Sequence, residues 1–369
     1  MQLFQMHRGL FALYLVLGSL FILGGATKCT QQSVRKEWRS LSREDRGHWI
    51  TAVKCLANSP NDGVFVSSLN PPDIAPYNAS GSLFDDIVYA HMNLNHRIHW
   101  NGLFLPWHRW YLFLFDSLLR SRCGYRGPLP YWDWTKDAAD FYESPFFKDS
   151  DPESGLGGWG DASKGFRVLD GAFSASSSFQ LSYPFPHTLR RSYTLIPPLD
   201  VVFPVPGLVW NHTRPGNASF TKPVVENLID GFVGDYKGFQ ARMEGVEGPH
   251  LNVHFTIGGD VAGACPVDAP AGCISGPTFS SNDPLFFLHH AMLDRVWFKW
   301  QKKHNLNKNA FEGGSVQHLE NASAFGLYPT GGPPYLTVES ELPTVGLSAP
   351  FIVANMISTT EWPLCYVYD

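Results

Sequence analysis

Two histidine-bearing segments, His250-Leu-Asn-Val-His254 and Asn282-Asp-Pro-Leu-Phe-Phe-Leu-His-His290-Ala-Met-Leu-Asp294-Arg-Val-Trp297, organise this chain of 369 residues. Histidines four residues apart lie about one turn from each other on the same face of a helix. Both members of such a pair can therefore reach one point in space, as the ligands of a metal ion must. A pair by itself is more often structural, so the metal interpretation depends on the other histidines of the chain.

The second segment is predicted to form a helix of its own. Asp283 can serve as its N-cap, and Pro284 suits the first turn. This helix carries His290, and Asp294 follows one turn later. An aspartate at this spacing is well placed to bond the far side of an imidazole and to hold its tautomer. We therefore expect His290 to join the upstream pair, with Asp294 as a supporting carboxylate.

Three further histidines, His91, His99 and His108, lie upstream. The first two are eight apart, a little over two helical turns, and so remain on roughly one face. Pro106 predicts the start of another helix, with His108 in its first turn. Imidazole suits copper, zinc, iron and nickel, but closed structural zinc sites use four ligands, usually with cysteine, and no cysteine pair here has CxxC spacing. Two all-histidine sites of three ligands each are more typical of a copper pair.

These motifs resemble the tyrosinase and catechol oxidase family of type 3 copper proteins. Phe104-Leu-Pro-Trp-His-Arg109, with His99 nine residues before its histidine, matches the first copper site, and the two segments quoted above match the second. Pro130-Tyr-Trp-Asp-Trp134 matches the aromatic motif between them, and Tyr366-Val-Tyr368 resembles the tyrosine pair that ends the core domain. The resemblance covers the chain from about Glu37 onwards, although residues 140–240 match weakly.

The resemblance implies a mainly α fold, with a four-helix bundle core around a binuclear copper site, long loops and a few short strands. Residues 28–369 would form the copper-binding central domain. One copper ion would be held by His91, His99 and His108. The other would be held by His250, His254 and His290.

The resemblance also implies an enzyme that uses two copper ions and O2 to oxidise catechols to o-quinones, with the prior hydroxylation of monophenols as a second activity that the resemblance leaves open. Its substrate would be a small phenol or catechol, or a tyrosine-containing peptide, in pigment or secondary-metabolite formation. A haemocyanin-like oxygen carrier and a protein without copper are the alternatives. Because imidazoles must be neutral to bind copper, activity is expected to fall as the pH drops through the histidine range.

Several positions depart from the family pattern or have two interpretations. Leu251 stands where many tyrosinases have an asparagine that helps to deprotonate a phenol, which favours catechol oxidation over monophenol hydroxylation. Glu247 is similar to a carboxylate that holds a water near the site, but a solvated loop glutamate is an equally good interpretation. Arg97 replaces the thioether cysteine of many fungal relatives. His96 and His289 adjoin the ligand positions and are interpreted as structural or supporting residues.

Composition predicts one large domain, with 44% hydrophobic and 14% aromatic residues. The net charge is −5 without a basic block, so nucleic acid is not expected as a partner. Residues 33–57 and 224–243 are predicted helices. His187 and His212, in the loop-rich middle of the chain, are predicted to be surface residues.

Residues 1–27 are predicted to be a signal peptide, or a membrane anchor if they are not cleaved. Arg8 precedes an uncharged run that ends near the small residues Gly24-Gly-Ala26. We therefore expect a secreted protein, or a membrane-anchored one as the alternative. The chain stops at the tyrosine pair, so we also expect an open site without a C-terminal lid.

The secretory prediction has support elsewhere in the chain. Six cysteines predict disulfides in an oxidising compartment, and Cys265 with Cys273 could close the loop between the two parts of the second site. Four sequons predict N-glycosylation. They begin at Asn78, Asn211, Asn217 and Asn321.

Overall fold

The computed structural model describes residues 28–66, 69, 71–198 and 204–369. The predicted signal peptide or anchor, residues 1–27, lies outside the described residues. None of the described helices combines the length and the apolar character that crossing a bilayer requires.

The described part of the chain is mostly helical, which confirms the predicted fold class. The helices are α1 (Arg43–Asn58), α2 (Leu83–Ile98), α3 (Phe104–Cys123), α4 (Lys222–Asp230), α5 (Tyr236–Glu244), α6 (Pro249–Ile257), α7 (Leu285–Lys303), α8 (Ala322–Leu327) and α9 (Ala354–Ile357). The strands are β1 (Ser33–Arg35), β2 (Gly314–Val316), β3 (Gly332–Tyr335) and β4 (Tyr366–Tyr368). β1 pairs in parallel with β4, and β2 pairs with β3 in the antiparallel sense.

Two predicted helices have different boundaries in the structure. The first begins only at Arg43, because Ser42 caps it and residues 33–35 pair with the C-terminal strand, a long-range contact that local pattern does not reveal. The second is divided into α4 and α5. Phe232 and Gly234 between them have φ angles of 57° and 74°, a left-handed conformation that a helix cannot continue through.

Helix α2 is set by a capping box at its start. The Ser82 hydroxyl accepts from the Asp85 amide, and the Asp85 carboxylate accepts from the Ser82 amide at 2.7 Å. The helix is buried along most of its length, so His91 points into the protein rather than towards solvent. Helix α3 lies beside α2 and ends at Cys123, where Gly124 caps it with a φ angle of 66°.

Helix α7 begins at Leu285, one residue after Pro284. Pro284, and not Asp283 as the sequence predicts, occupies the N-cap position. The Asp283 carboxylate nevertheless accepts from the Leu285 amide at 2.9 Å and so satisfies one of the free amides at the start of the helix. The fully buried Arg191 side chain holds the same carboxylate with two hydrogen bonds, at 2.7 and 3.0 Å. This second partner comes from the loop-rich middle of the chain and fixes the start of α7 to it.

The core is built where these helices meet. Helix α3 packs against α1, α2 and α7, and α6 packs against α7. Aromatic side chains dominate the contacts, as in the parallel stack of Phe115 on Phe287, whose ring centroids are 3.7 Å apart. Helices α2, α3, α6 and α7 thus surround one interior, and the histidines predicted as copper ligands project into it.

Candidate metal centre

The first histidine cluster lies between α2 and α3. His91 is on α2, His99 directly follows its last residue, and His108 is in the second turn of α3. All three side chains are buried, and their candidate ligand atoms lie within 4.8 Å of one another. The structure therefore brings together the three residues that the sequence assigned to the first copper ion.

The second cluster lies between α6 and α7. His250 and His254 project from one face of α6, and His290 meets them from α7. Their candidate ligand atoms, together with those of His289, lie within 4.8 Å of one another. The Nε2 atoms of His254 and His290 are only 3.2 Å apart, so both face the same small space.

The two clusters face each other across the bundle. The rings of His108 and His290 stack with centroids 4.5 Å apart and an interplanar angle of 16°. His99 and His250 stack in the same way at 5.7 Å. Two metal ions held by these clusters would be neighbours, and one small substrate could reach both.

Backbone carbonyls set the tautomer of several of these imidazoles. A carbonyl oxygen only accepts, so a ring Nδ1 at hydrogen-bond distance must carry the proton, which leaves the lone pair on Nε2. The pairs are His91 with Thr278 at 2.7 Å, His99 with Asn95 at 3.1 Å, His108 with Phe104 at 2.7 Å and His254 with Val261 at 2.7 Å.

The freed Nε2 atoms fit metal ions. Those of His91, His108 and His250 are buried and have no hydrogen-bond partner among the residues that the structure describes, and buried polar atoms are rarely left unsatisfied in this way. A metal ion in each cluster would satisfy them. The donor set, three neutral imidazoles on each side, is compatible with two copper ions.

Burial keeps these imidazoles neutral. It lowers the pKa of His91 to about 3 and that of His254 to about 4. Burial also lowers the pKa of His99, His108 and His290 well below the ordinary value, and neighbouring imidazoles add to the effect. At neutral pH each ring can therefore offer a lone pair to a metal ion.

His289 is closer to the centre than the sequence suggests. It is fully buried, and neither ring nitrogen has a hydrogen-bond partner in the described residues. Its ring lies parallel to that of His250 at 5.9 Å and perpendicular to that of His254 at 4.7 Å. His289 and His290 are adjacent on α7, so their side chains point in directions about 100° apart. Of these two rings, that of His290 stacks on His108. His96, in contrast, is largely exposed and lies 3.9 Å from Asp73.

Asp294 does not bond a ligand imidazole, and the sequence-based prediction of that contact was wrong. Its carboxylate accepts instead from Arg109 and from Arg35, and from the hydroxyls of Tyr366 and Tyr368. Four donors from distant parts of the chain saturate it. Spacing along one helix placed Asp294 on a suitable face, but could not show which tertiary partners compete for it.

The charge of Asp294 is stabilised by this environment. Burial by itself raises the pKa of the carboxyl, but the charges of Arg109 and Arg35 outweigh burial and hold the pKa below its ordinary value. The Arg109 guanidinium also lies over the Trp297 ring, 3.5 Å from its centroid. Asp294 thus joins α3, α7 and the two terminal strands directly behind the second histidine cluster.

Two glutamates that precede α6, Glu244 and Glu247, differ in their exposure to solvent. Glu247 is exposed, pairs with Arg242 at 3.2 Å and does not line the cavity beside the histidines, which favours the solvated-loop interpretation. Glu244, three residues earlier, is fully buried and accepts the Trp100 amide at 2.6 Å. Glu244 was not among the residues predicted from the sequence; the available signal was its helical spacing of eight and four residues from Tyr236 and Gln240, which are also buried on α5.

His187 is a further correction, because it is buried rather than on the surface. Its Nε2 atom lies 2.7 Å from the Asp260 carboxylate, and its Nδ1 atom lies 2.7 Å from the Phe185 carbonyl. Burial lowers the pKa of His187, but the charge and hydrogen bond of Asp260 outweigh this and raise it. Asp260 is next to Val261, whose carbonyl accepts from His254. The prediction for His212 is confirmed, because that residue is exposed.

A cavity of about 260 Å³ opens beside the ligand histidines His99, His250 and His254. Part of its lining is apolar and comes from Trp100, Leu251 and Phe255, which belong to one packed cluster with Val205 and Ala262. The other part is polar and includes Asp73, His96 and Gln317. An aromatic ring could enter along the apolar lining and reach the histidine clusters.

The covalent features predicted from the sequence divide into two groups. Disulfides are confirmed, as Cys265–Cys273, Cys55–Cys123 and Cys29–Cys365, and they are compatible with a secreted protein. The sequon asparagines Asn78, Asn211 and Asn321 are exposed. The fourth, Asn217, is half-buried and donates its side-chain amide to the Ala138 carbonyl at 2.8 Å, so glycosylation there would require this bond to break.

Comparisons with known proteins agree with this geometry. The common central domain of tyrosinase matches residues 81–303. Tyrosinase-like protein phomQ1' of Diaporthe leptostromiformis is 30% identical over 365 residues, covering 93% of this chain and 81% of that protein. Tyrosinase P of Aspergillus terreus is 27% identical, covering 93% and 94%. A polyphenol oxidase of Thermothelomyces thermophila is 25% identical with a TM-score of 0.65, covering 93% of this chain and 91% of that one.

Fold, site and comparisons together define a mostly helical protein with two facing histidine clusters compatible with two copper ions. The chain belongs to the tyrosinase family of type 3 copper proteins. Membership of this family supports the assignment of the protein as a copper oxidase that acts on phenolic substrates.

Proposed function

We propose that this protein oxidises catechols to o-quinones with O2. Two catechols would lose four electrons and four protons in total, and one O2 would take them up to give two waters. The observation that carries the proposal is the pair of buried, neutral three-histidine clusters facing each other beside a cavity of about 260 Å³. Bound copper would supply the two-electron redox chemistry.

The residues of the chain would divide the remaining work. His91, His99 and His108 would hold one copper ion, and His250, His254 and His290 would hold the other. Backbone carbonyls would keep the Nδ1 protons of His91, His99, His108 and His254 in place, so that the Nε2 atoms of these four rings are free for a metal ion. Trp100, Leu251 and Phe255 would guide the substrate ring and exclude water from one side of it.

Catechol oxidation is proposed ahead of monophenol hydroxylation because of Leu251. This side chain lines the cavity, is buried and has no polar atom to orient a water or accept a phenolic proton. Glu247, the other candidate for such a role, is turned to solvent. A catechol needs less help, since its two acidic hydroxyls can approach a metal pair together.

Oxygen uptake by the copper-loaded protein tests the proposal. It would be measured with 4-ethylcatechol and, in parallel, with 4-ethylphenol. Uptake with the catechol alone is the expected result, and uptake with both would reassign the protein as a tyrosinase in the strict sense. Two bound copper ions per chain without uptake from either compound would contradict the proposal and favour an oxygen carrier.

The relatives named above are fungal proteins, and this supports a place in secondary-metabolite or pigment formation as a further part of the proposal. A small phenolic molecule or a tyrosine-containing peptide would be the substrate. The predicted signal peptide, the disulfides and the exposed sequons favour action in the secretory pathway or outside the cell.

A further inference from the structure

The lining of the cavity beside the histidine clusters includes a negatively charged side chain. Among its described lining residues, Asp73 is the one carboxylate, and no lysine or arginine side chain lies there. The remaining polar residues are amides, hydroxyls and His96. A substrate that enters this cavity therefore meets a negative group that is not one of the proposed metal ligands.

The Asp73 carboxylate is available to a ligand. Its Oδ1 atom is buried and has no hydrogen-bond donor in the described residues, although the side chain as a whole is 43% exposed. The nearest basic group is His96 Nε2 at 3.9 Å, too far for a good hydrogen bond. Because the side chain is only partly exposed, an ammonium group in the cavity would interact with its negative charge at short range rather than through a bond to Oδ1.

The position of Asp73 relative to the histidines adds a geometric constraint. Asp73, His96 and the ligands His99 and His250 line one cavity, while Leu251 and Phe255 line its apolar part. A catechol ring held against the apolar part would direct its reactive hydroxyls to the clusters and leave its side chain nearer the polar residues. The charge on the side chain of the substrate is therefore the one that can interact with Asp73.

We propose that Asp73 makes this site selective for catechols whose side chain ends in an ammonium group, over matched catechols that end in a carboxylate. The inference rests on the proposed function for the identity of the ring, but not for the charge preference. A carboxylate-bearing side chain would face repulsion from Asp73 at short range. In an exposed setting a single charge pair of this kind changes affinity by about 2- to 5-fold.

The experiment compares three catechols that differ in their side chain: 2-(3,4-dihydroxyphenyl)ethylamine, 4-ethylcatechol and 3,4-dihydroxyphenylacetate. For each charged compound, kcat/KM is divided by the value for 4-ethylcatechol. Asp73→Asn should lower the amine ratio and raise the acid ratio, each by about 2- to 5-fold, and Asp73→Lys should shift both further in the same directions. The charge of bound copper is common to all variants and cancels in these comparisons.

Asp230→Asn is the matched control. Asp230 is an exposed carboxylate at the end of α4, pairs with Lys303 at 2.6 Å and does not line the cavity. Its removal should leave both ratios unchanged. Raising the salt concentration should shrink the preference of the wild type and leave Asp73→Asn almost unaffected.

A binding measurement separates this inference from the proposed function. Calorimetry with 2-phenylethylamine and phenylacetate, which lack the ring hydroxyls, tests the charge preference without turnover. Tighter binding of the amine in the wild type, lost in Asp73→Asn, supports the inference even if no catechol is oxidised. Equal binding of the two compounds, or a preference that survives Asp73→Asn, would overturn it.

Discussion

Glu244 accepts a hydrogen bond of 2.6 Å from the backbone amide of Trp100, and both residues are buried. Trp100 directly follows the ligand position His99 and has a φ angle of 55°, a left-handed conformation that a residue with a side chain adopts at a cost of roughly 1–3 kcal/mol. The carboxylate thus stabilises a strained turn that sets where His99 stands. Burial raises the pKa of Glu244 well above its ordinary value and outweighs the hydrogen bonds from Trp100 and Gln240, which lower it.

Removal of this carboxylate is expected to destabilise the protein. Glu244→Ala leaves the buried Trp100 amide without an acceptor, at a cost of about 1–3 kcal/mol, whereas Glu244→Gln keeps an acceptor oxygen and should cost less. Urea unfolding of the two variants measures the difference. Because the folded-state pKa is raised, the wild type should lose stability relative to Glu244→Gln as pH rises from the ordinary glutamate range towards that pKa. Equal stability of both variants at every pH would contradict this role.

Asp294 is expected to be the most sensitive carboxylate for stability. Asp294→Asn removes the charge that compensates the buried Arg35 and Arg109, and an unpaired buried charge costs about 3–5 kcal/mol. Since its pKa is depressed, its contribution should be full above the ordinary aspartate range and should be lost as pH falls through the folded-state value. The measurement is the free energy of unfolding in urea, with Asp230→Asn as the exposed control.

The second cluster offers four histidines for one three-ligand site, and a pair of variants can identify the extra one. We expect His290→Ala to reduce bound copper from two ions per chain to one, because this ring faces the first cluster through His108. His289→Gln should retain both ions, with some loss of stability from its buried position. Copper is counted by atomic absorption after loading and gel filtration. The reverse pattern would make His289 the ligand.

The copper-free protein should lose stability in mildly acidic solution. Its cluster imidazoles have depressed pKa values, about 3 for His91 and about 4 for His254, whereas the unfolded chain binds protons near pH 6.5. Between pH 6.5 and about 4 the unfolded state therefore takes up more protons, and the free energy of unfolding should fall. Denaturant unfolding at several pH values measures this. A flat profile over that range would show that the imidazoles are not held neutral by burial.

Substitution of Leu251 tests whether this side chain limits the hydroxylation of monophenols. Leu251→Asn places a polar group in the cavity and should raise the rate with 4-ethylphenol relative to 4-ethylcatechol by about 10-fold or more, as a positioned proton acceptor does. Leu251→Met keeps an apolar side chain of similar volume and should leave the ratio unchanged. An unchanged ratio in Leu251→Asn, with copper content intact, would remove Leu251 from the account of specificity.

Much of the metal centre follows from local pattern. Helical spacing is enough to place His250 and His254 on one face, and Pro106 and Pro284 lie within two residues of the points where two of the four ligand-bearing helices begin. Such features depend on residues within a turn or two of each other, so the backbone geometry of the helix transmits them directly. The mainly α fold and the six-histidine set were predictable for this reason.

The surroundings of those histidines were decided by tertiary structure. Asp294 turned away from the imidazoles because Arg109, Arg35 and two C-terminal tyrosines reach it from distant positions. The Thr278 carbonyl that accepts from His91, and the burial of His187, depend on loops whose course has no periodic signature. A hydrogen bond between remote residues forms only when the whole chain has packed, and burial, which sets the pKa of each ring, is a property of that packing alone. Sequence by itself therefore determined which side chains could bind metal, and the fold determined which partners orient them and what shape of molecule can approach.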